Sequence, residues 1–452
     1  MEETLQKIRA VHFIGIGGSG MSGLARILKK EGKKISGSDQ DDTAILDSLR
    51  KEGIKVMIGH KPENVPKGIQ AVIYSPAVAE NNPERIEANM RGIRQYSYPQ
   101  AVGLLTKEKK TISVCGTHGK TTTTAMAAAV FINAKMDPSV IVGANIRELG
   151  NSNAHSGKGK YLIVESCEYK RGFLNFSPEV IIMTNVEADH LDYYKNLEDY
   201  KKAFLQFIGK LPENGLIVAN IDDPNIRIIL KGEHKAKIIW FGTGKNADVR
   251  LEGKSIYVRG KRTANLDLKI PGQHNFLNAT AVIAICIELG IPLKKTISAL
   301  ETYRGASRRF EKIGFCGNAV VIDDYGHHPT EIRVTLRAAR EKFGKNARIL
   351  CIFQPHQYSR TLKLLKGFAS AFGDADEVII PNIFKVRDSA EDVKKISPVK
   401  LVETIGRNHK HVSYGGGFKR TIKDVRKRAG KYDAIIVMGA GDVYKIGEAL
   451  IA

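Results

Sequence analysis

The sequence predicts an α/β protein of three domains. These are a Rossmann-like N-terminal domain (residues 1–105), a central domain of P-loop ATPase type (residues 106–305) and a Rossmann-like C-terminal domain (residues 306–452). Three observations lead there. A glycine-rich turn follows an apolar strand near the N-terminus. A second glycine turn, ending in Gly-Lys-Thr, follows another apolar strand near residue 115. The last third alternates apolar runs with helical stretches and gathers polar residues at the strand ends. A chain of 452 residues is also too long for one ordinary core.

Composition narrows the class. The chain is 42% hydrophobic and 26% charged, which is globular. No apolar run is long enough to span a bilayer, and no secretory signal precedes the first glycine loop, so no membrane insertion is expected. The five cysteines (Cys115, Cys167, Cys286, Cys316, Cys351) form no C-x-x-C pair, which fits a reduced, cytoplasmic enzyme. A net charge of +22 admits nucleic acid, a membrane surface or anionic small molecules. The basic residues are scattered, however, and the runs at Lys29-Lys30, Lys33-Lys34 and Lys107 to Lys110 lack interleaved aromatics. No nucleic-acid partner is expected; monomer and dimer stay open.

The first segment opens with Val11-His12-Phe13-Ile14-Gly15-Ile16-Gly17-Gly18-Ser19-Gly20-Met21. A strand runs into G-x-G-x-x-G at Gly15, Gly17 and Gly20, a helix follows over about 22–31, and a strand over 34–37 ends at Ser38-Asp39. This βαβ unit with an acid at the next strand end is the dinucleotide-type fingerprint. Its helix N-terminus suits the pyrophosphate of NAD, FAD or a UDP-sugar equally well. Residues 71–75 read as another strand, with Ser75 at its carboxyl end. A domain boundary is expected across 98–110, where Pro99 and a charged stretch intervene.

In the central segment a strand over 110–115 leads into Gly116-Thr117-His118-Gly119-Lys120-Thr121-Thr122 and a helix over 121–135. Glycines bring backbone N–H groups close to a ligand and the helix N-terminus adds partial positive charge, so the turn reads as a phosphate cradle. Lys120 would reach the β- and γ-phosphates, and a hydroxyl of Thr121 or Thr122 would hold Mg²⁺. The strict G-x-x-x-x-G-K-[ST] pattern fails at Val114, and a turn that binds nothing is the competing reading. Four threonines opening a helix despite poor propensity favour the cradle. Further strands are read at 161–165, ending in Glu165, at 180–185, with Glu187, Asp189, His190 and Asp192 beyond it, and at 216–220. Acids at such strand ends are where Mg²⁺ is held; Asp192 reads rather as a solvated residue. His274, Asn275 and Asn278 open a helix running to about 289 and can cap it or meet a base edge.

A second boundary is expected near 303–309. Beyond it, strands at 319–323, 347–353, 377–380 and 434–438 carry polar loops at their carboxyl ends: Asp323 to Pro329, Gln354 to Arg360 and Gly439 to Asp442. Loops at one end of a parallel sheet converge on a crevice. His327, His328 and His356 lack metal-ligand spacing, since adjacent histidines point apart.

Together these stretches resemble the Mur ligase family over essentially the whole chain. Gly116 to Thr123 matches its phosphate loop. Gly15 to Gly23, Asp324 to Glu331 and Phe353 to Thr361 are most similar to the alanine-adding members and the related ligases that attach a tripeptide. The stretch from Thr184 to Asp192 is more similar to the alanine-adding type. The resemblance implies an ATP-dependent amide ligase acting through an acyl phosphate, with UDP-N-acetylmuramate and L-alanine as substrates and Mg²⁺ (or Mn²⁺) as the ion. It implies that Gly17, Gly18, Ser19, Gly20 and Met21 hold the UDP pyrophosphate, with Ser38, Asp39, His60 and Ser75 around uridine and sugar. Gly116, Thr117, His118, Gly119, Lys120, Thr121 and Thr122 would bind ATP, with Thr121, Glu165 and His190 as metal ligands. His274, Asn275 and Asn278 would face adenine, and Arg308 or Arg309 with Asp323 or Asp324 would reach the nucleotide. Tyr325, His327, His328, His356 and Arg360 would line the amino-acid pocket. Lys120, Glu165, His190, His327 and Arg360 are the catalytic candidates.

One stretch departs from the family. Glu165 is followed by Ser166-Cys167-Glu168-Tyr169-Lys170, where alanine-adding enzymes usually carry aspartates in place of Cys167 and Lys170. Lys170 either supplies charge near the metals or points to solvent. A nicotinamide-dependent oxidoreductase and a nucleic-acid motor are the alternatives. The first leaves Gly116 to Thr124 unexplained, and the second lacks an acidic pair of D-E-x-x type after the phosphate loop.

Overall fold

The computed structural model describes residues 4–232 and 234–452, which form two compact units. The first takes Met1–Glu187, Leu197–Asp267 and Asn278–Tyr303; the second takes Ala188–Asn196, Leu268–Leu277 and Arg304–Ala452. All statements of number or absence below concern the described residues.

The first unit begins with β1 (Ala10–Ile14), α1 (Ser19–Lys30), β2 (Lys34–Asp39), α2 (Ala44–Lys51), β3 (Lys55–Ile58), β4 (Ala71–Tyr74), α3 (Pro83–Met90) and β5 (Arg94–Ser97). The five strands pair in parallel in the order β3-β2-β1-β4-β5, so the order reverses between β1 and β4 and opens a crevice at their carboxyl ends. The helix α1 starts earlier than the apolar pattern suggests, because the Ser22 amide already bonds the Gly18 carbonyl at 2.8 Å. The strand β2 runs on to Asp39 because that residue still pairs with Ile58.

The stretch across 98–110, where a domain boundary is expected, holds a helix, α4 (Tyr98–Thr106). Pro99 reads as a breaker in sequence, but at a helix's first turn proline loses nothing, since that N–H has no intrahelical partner. Ser97 and Gln100 form a capping box there, and Ala101, Val102, Leu104 and Leu105 are buried.

The central sheet has ten strands: β6 (Lys110–Cys115), β7 (Ser139–Ile146), β8 (Ser152–His155), β9 (Tyr161–Glu165), β10 (Val180–Met183), β11 (Leu216–Asn220), β12 (Lys237–Gly242), β13 (Val249–Glu252), β14 (Ser255–Val258) and β15 (Lys261–Asn265). Their order is β15-β14-β13-β12-β11-β10-β6-β9-β7-β8, with antiparallel pairing only at the two edges. The phosphate-loop strand β6 is central, between β10 and β9. Behind it α5 (Lys120–Asn133) is buried from Thr121 to Phe131, which explains an alanine-rich helix without an amphipathic face. The helix α1 is pinned to the central sheet through β8. The Asn153 amide donates to the Ser19 carbonyl and, at 3.1 Å, to Ser22 Oγ, while its oxygen accepts from Arg26 at 2.7 Å.

After α6 (Leu197–Ile208), α7 (Pro224–Ile229), α8 (Gln273–Glu288) and α9 (Leu293–Thr302) comes the sheet of the second unit. It comprises β16 (Glu311–Cys316), β17 (Ala319–Asp324), β18 (Ile349–Phe353), β19 (Glu377–Ile380), β20 (Val412–Tyr414) and β21 (Ala434–Met438), ordered β16-β17-β21-β18-β19-β20. A hairpin joins β16 to β17; the rest is parallel. One face packs under α10 (Pro329–Phe343), with Ile332, Leu336 and Phe368, and the other under Val443 and Ile446.

The first sheet encloses a fully buried acid, Glu84. Its Oε2 accepts from Ser38 Oγ at 2.7 Å and meets His12 Nε2 at 2.8 Å, and its Oε1 accepts from Asn64 at 3.0 Å and meets His60 Nδ1 at 3.0 Å. Burial alone would raise the Glu84 pKa, but the hydrogen bonds from His12, Asn64 and Ser38 outweigh it and leave the value below that of an ordinary glutamate. A depressed carboxyl pKa stabilises the fold above the unfolded value of about 4.3, and the contribution disappears as pH falls through the folded value. Glu84→Gln should therefore cost about 2–3 kcal/mol at pH 7, with the gap to wild type narrowing below about pH 4. Urea unfolding at both pH values checks this; a gap that stays constant would count against it.

Candidate active site

The phosphate loop is shaped by close approaches. Gly116 has φ +135°, and a Cβ there would lie 2.1 Å from Thr184 Oγ1. Gly119 has φ +81°, and a Cβ there would lie 2.7 Å from Asn278 Oδ1. Asn185 locks the loop from the next strand end: its oxygen accepts from the His118 amide at 2.8 Å and its nitrogen donates to the His118 carbonyl at 3.0 Å. Thr117 Oγ1 accepts from the Glu187 amide and donates to the Glu187 carbonyl, at 2.8 and 2.9 Å.

Lys120 folds back into this loop. Its ammonium donates to the carbonyls of Gly116 and, at 3.0 Å, Thr117, and pairs with Glu168 at 3.0 Å. Burial opposes the charge, but the Glu168 carboxylate more than offsets it and holds the lysine pKa above its ordinary value. Glu168 is itself fully buried and accepts from Tyr200 at 2.8 Å. Nothing in the sequence marks this partner, because a glutamate three residues past a strand end looks like any loop acid.

Thr121 and Glu165, both expected at the metal, meet here: Thr121 Oγ1 donates to Glu165 Oε1 at 2.9 Å, while Glu165 Oε2 accepts from the Gly143 amide at 2.7 Å. The other threonines of the run serve the helix. Thr124 bonds back to the Lys120 carbonyl at 2.8 Å, Thr122 and Thr123 are buried, and Thr123 Oγ1 has no hydrogen-bond partner. Lys170 is exposed, its ammonium lying 5.7 Å over the Tyr169 ring, so the solvent-facing reading of this departure fits.

At the N-terminal loop, Gly15 has φ +79° and packs against Ser75. The Gly17 amide donates to Asp39 Oδ2 at 2.7 Å, so this acid braces the loop. Gly18 precedes the α1 helix, whose first turn carries Ser19, Gly20 and Met21. Ser38 and His60 sit on Glu84, and Ser38 is fully buried. Gly20 of the N-terminal loop, Pro76 and Tyr98 line a pocket of about 240 Å³ together with Gly143, Glu165 and Cys167, and Glu165 in turn accepts from Thr121 at the end of the phosphate loop.

In the second unit Asp189, His190 and His327 gather near Arg360, the third residue of α11 (Tyr358–Lys363). Arg360 pairs with Asp189 at 3.3 Å and meets His190 Nδ1 at 3.4 Å; His190 itself has φ +51°. Burial would raise the Asp189 pKa, but Arg360 and then His190 drive it far below the carboxylate range. Burial brings His327 down to about 4 and His356 to about 3, so both rings are neutral at pH 7. The rings are 6.1 Å apart, and His356 stacks on Phe384 with Nδ1 lacking a hydrogen-bond partner. His328 turns the other way and caps α10 in a capping box with Glu331. Asp192 is exposed, as expected.

Arg308 donates to Asp323 Oδ2 at 3.0 Å and to the Gly439 carbonyl at 2.7 Å. Burial raises Asp323 to about 6, against the pull of Arg308, and its Oδ1 has no hydrogen-bond partner. Asp324 instead accepts from the Gly326 and Phe310 amides, both at 2.8 Å. Tyr325 lies under both arginines, 5.1 Å from Arg308 and 5.0 Å from Arg309. His274 does not cap α8: it lies inside the helix, after Gln273, and burial lowers its pKa to about 4. The Asn275 amide donates to the Pro271 carbonyl at 2.6 Å.

Comparison with known proteins agrees with this architecture. Residues 10–110 match the model described as Mur ligase family, catalytic domain; residues 114–286 match the Mur ligase middle domain; residues 308–441 match the Mur ligase, glutamate ligase domain. The UDP-N-acetylmuramate–L-alanine ligase of Acetivibrio thermocellus is 43% identical, over 98% of this chain and 96% of that protein. The enzyme of the same name from Clostridium acetobutylicum is 38% identical over 98% of each. The crystal structure of UDP-N-acetylmuramate–alanine ligase from Thermotoga maritima superposes with a TM-score of 0.83 at 32% identity, covering 98% of both chains. A murein peptide ligase from Psychrobacter arcticus shares the fold, with a TM-score of 0.75 at 23% identity over 98% of both chains. With its three α/β sheets, its phosphate loop and family matches along most of its length, this chain belongs to the Mur ligase family.

Proposed function

We propose that this chain is an ATP-dependent ligase that joins L-alanine to the lactyl carboxylate of UDP-N-acetylmuramate, in peptidoglycan precursor synthesis. One observation carries the reading beyond family membership: Gly20 of the N-terminal loop and Glu165 at the phosphate loop line one pocket. A sugar nucleotide held on the first loop is thereby led towards the γ-phosphate held on the second. The relatives that are 38–43% identical over nearly the whole chain are named for this activity.

The amides of residues 17–21 take the UDP diphosphate at the N-terminus of α1, with Asp39, Ser75 and His60 nearby. Ser38 acts through Glu84, which its hydroxyl bonds. Residues 116–122 take the ATP phosphates, and Lys120 exchanges a loop carbonyl for a phosphate oxygen. Thr121 and Glu165 are hard oxygen donors already in contact, a set that fits Mg²⁺ and also Mn²⁺; His190 is assigned as a further ligand. The ion would screen phosphate charge as the muramoyl carboxylate approaches.

That carboxylate attacks the γ-phosphorus, ADP leaves, and an acyl phosphate forms. The amine of alanine then attacks the acyl carbon, and phosphate leaves from the tetrahedral intermediate. The first step brings anions together, so Lys120 contributes most as charge shifts in the transition state. His274, Asn275 and Asn278 are assigned to the adenine, and Arg308 with Asp323 to the nucleotide. Arg360 is assigned to the carboxylate of alanine, a task suited to a planar bidentate cation, with Tyr325, His327 and His356 around it, while His328, expected in this pocket, is taken up by capping α10.

Phosphate release should require UDP-N-acetylmuramate and L-alanine together, with serine or glycine weaker, since one methyl or hydroxyl discriminates modestly. Efficient use of L-alanyl-γ-D-glutamyl-diaminopimelate with none of L-alanine would sink this reading. Lys120→Ala should leave less than about a tenth of the turnover while UDP-N-acetylmuramate still binds, because the lysine acts on ATP alone. Arg360→Ala should raise the KM for L-alanine and destabilise the fold by about 3 kcal/mol, since Asp189 loses its buried partner. Steady-state kinetics and thermal melts of the purified variants check both.

A further inference from the structure

Tyr98 is the first residue of α4 and lies on the N-terminal glycine loop. A Cβ built at Gly20 would fall 2.5 Å from both Cζ and the hydroxyl oxygen of Tyr98, so the phenol's polar end rests on the first turn of α1. The third glycine of the fingerprint is thus demanded by this ring. Tyr98 also lines the 240 Å³ pocket that Glu165 and Gly143 close on the other side. Among the described residues none hydrogen-bonds its hydroxyl. A half-buried phenol gives up hydrogen bonds to water and usually finds a partner, and here the open direction is the pocket.

The pocket is smaller than the roughly 300–1,000 Å³ of sites that enclose a whole drug-sized ligand, so it suits one portion of a nucleotide sugar. Its ends fix which portion: a diphosphate on α1 leaves the sugar beside Tyr98, and the sugar's acyl arm then points towards Glu165. Pro76, Ile141, Val142 and Phe176 supply apolar walls for an acetamido methyl. We propose that Tyr98 is a substrate-binding residue whose hydroxyl donates a hydrogen bond to the sugar portion of the nucleotide-sugar substrate. The assignment rests on the function proposed above.

The test is calorimetric titration of wild type and Tyr98→Phe with UDP and with UDP-N-acetylmuramate, without ATP. Phenylalanine keeps the ring on Gly20, so the fold is retained and only the donor is removed. Tyr98→Phe should weaken UDP-N-acetylmuramate about three- to ten-fold, the loss of one hydrogen bond, and leave UDP within about two-fold. Equal weakening of both ligands would place the contact on the diphosphate and overturn the assignment. So would unchanged affinity for both, including when the melting temperature falls, since that marks a packing role. Wild type that gains no affinity from the muramoyl sugar would overturn the proposed function as well, whereas a gain that Tyr98→Phe retains would overturn Tyr98 alone.

Discussion

The phosphate loop has to keep a lysine charged where little water reaches it, and much of the central domain's local structure follows from that. An ammonium has three protons, and Lys120 places them on the Gly116 carbonyl, the Thr117 carbonyl and Glu168. Each acceptor needs support of its own. Gly116 can turn its carbonyl inwards only at φ +135°, with Thr184 packed where a side chain would be. Thr117 is held by both backbone groups of Glu187. Glu168 is braced by Tyr200, whose hydroxyl also lies 3.2 Å from Thr117 Oγ1. A buried pair of this kind contributes little net stability, because desolvation offsets most of the attraction, but removing either partner strands the other. Its value lies in geometry: the cation is already placed at the N-terminus of α5.

The same physics is used at the first loop with different means. The diphosphate cradle proposed there has no lysine and would rely on the amides and dipole of α1. Such a cradle works only if the helix cannot shift, and Asn153 and Arg26 fix it to β8 of the central sheet. The two glycine loops, assigned above to the two phosphate groups, are thus tied through a helix and a strand within one compact unit. Reaction between ligands on separate loops depends on such rigidity, since small misplacements of reacting atoms are expensive in rate.

Central parallel strands were legible in the sequence to the residue in several cases: β6, β9, β11, β19 and β21 match the apolar runs that announced them. A strand buried on both faces reads as a continuous apolar run bounded by glycine or acid, and nothing competes with that signal. The strands towards the two sides of the central sheet, β7, β8, β13, β14 and β15, were not read; the edge strand β15, for one, is largely exposed and carries the mixed residues Lys261-Arg262-Thr263-Ala264-Asn265. Proline misled at α4, where it opens a helix. The glycine and lysine motifs announced the two loops, since backbone conformations of that kind restrict residue choice. The buried acids Glu84 and Glu168 were invisible. Their partners lie at His12, Ser38 and His60, or at Lys120 and Tyr200, and only the packing of distant elements brings these together.

The second unit handles charge in the opposite way. Around Arg360, Asp189 is held ionised by the arginine, burial keeps His327 and His356 neutral, and the Glu331 carboxylate lies 3.5 Å from His327 Nδ1. Neutral histidines with pKa values of about 4 and 3 are weak bases, poorly matched to taking a proton from an ammonium group near neutral pH. Nearby negative charge changes that, because it favours the protonated ring and raises the pKa. Glu331 already does so from 3.5 Å without overcoming burial, and a ligand carboxylate or phosphate arriving beside His327 would add to its pull. Base strength in this pocket is therefore a property of the complex, and the unliganded values describe the resting enzyme alone.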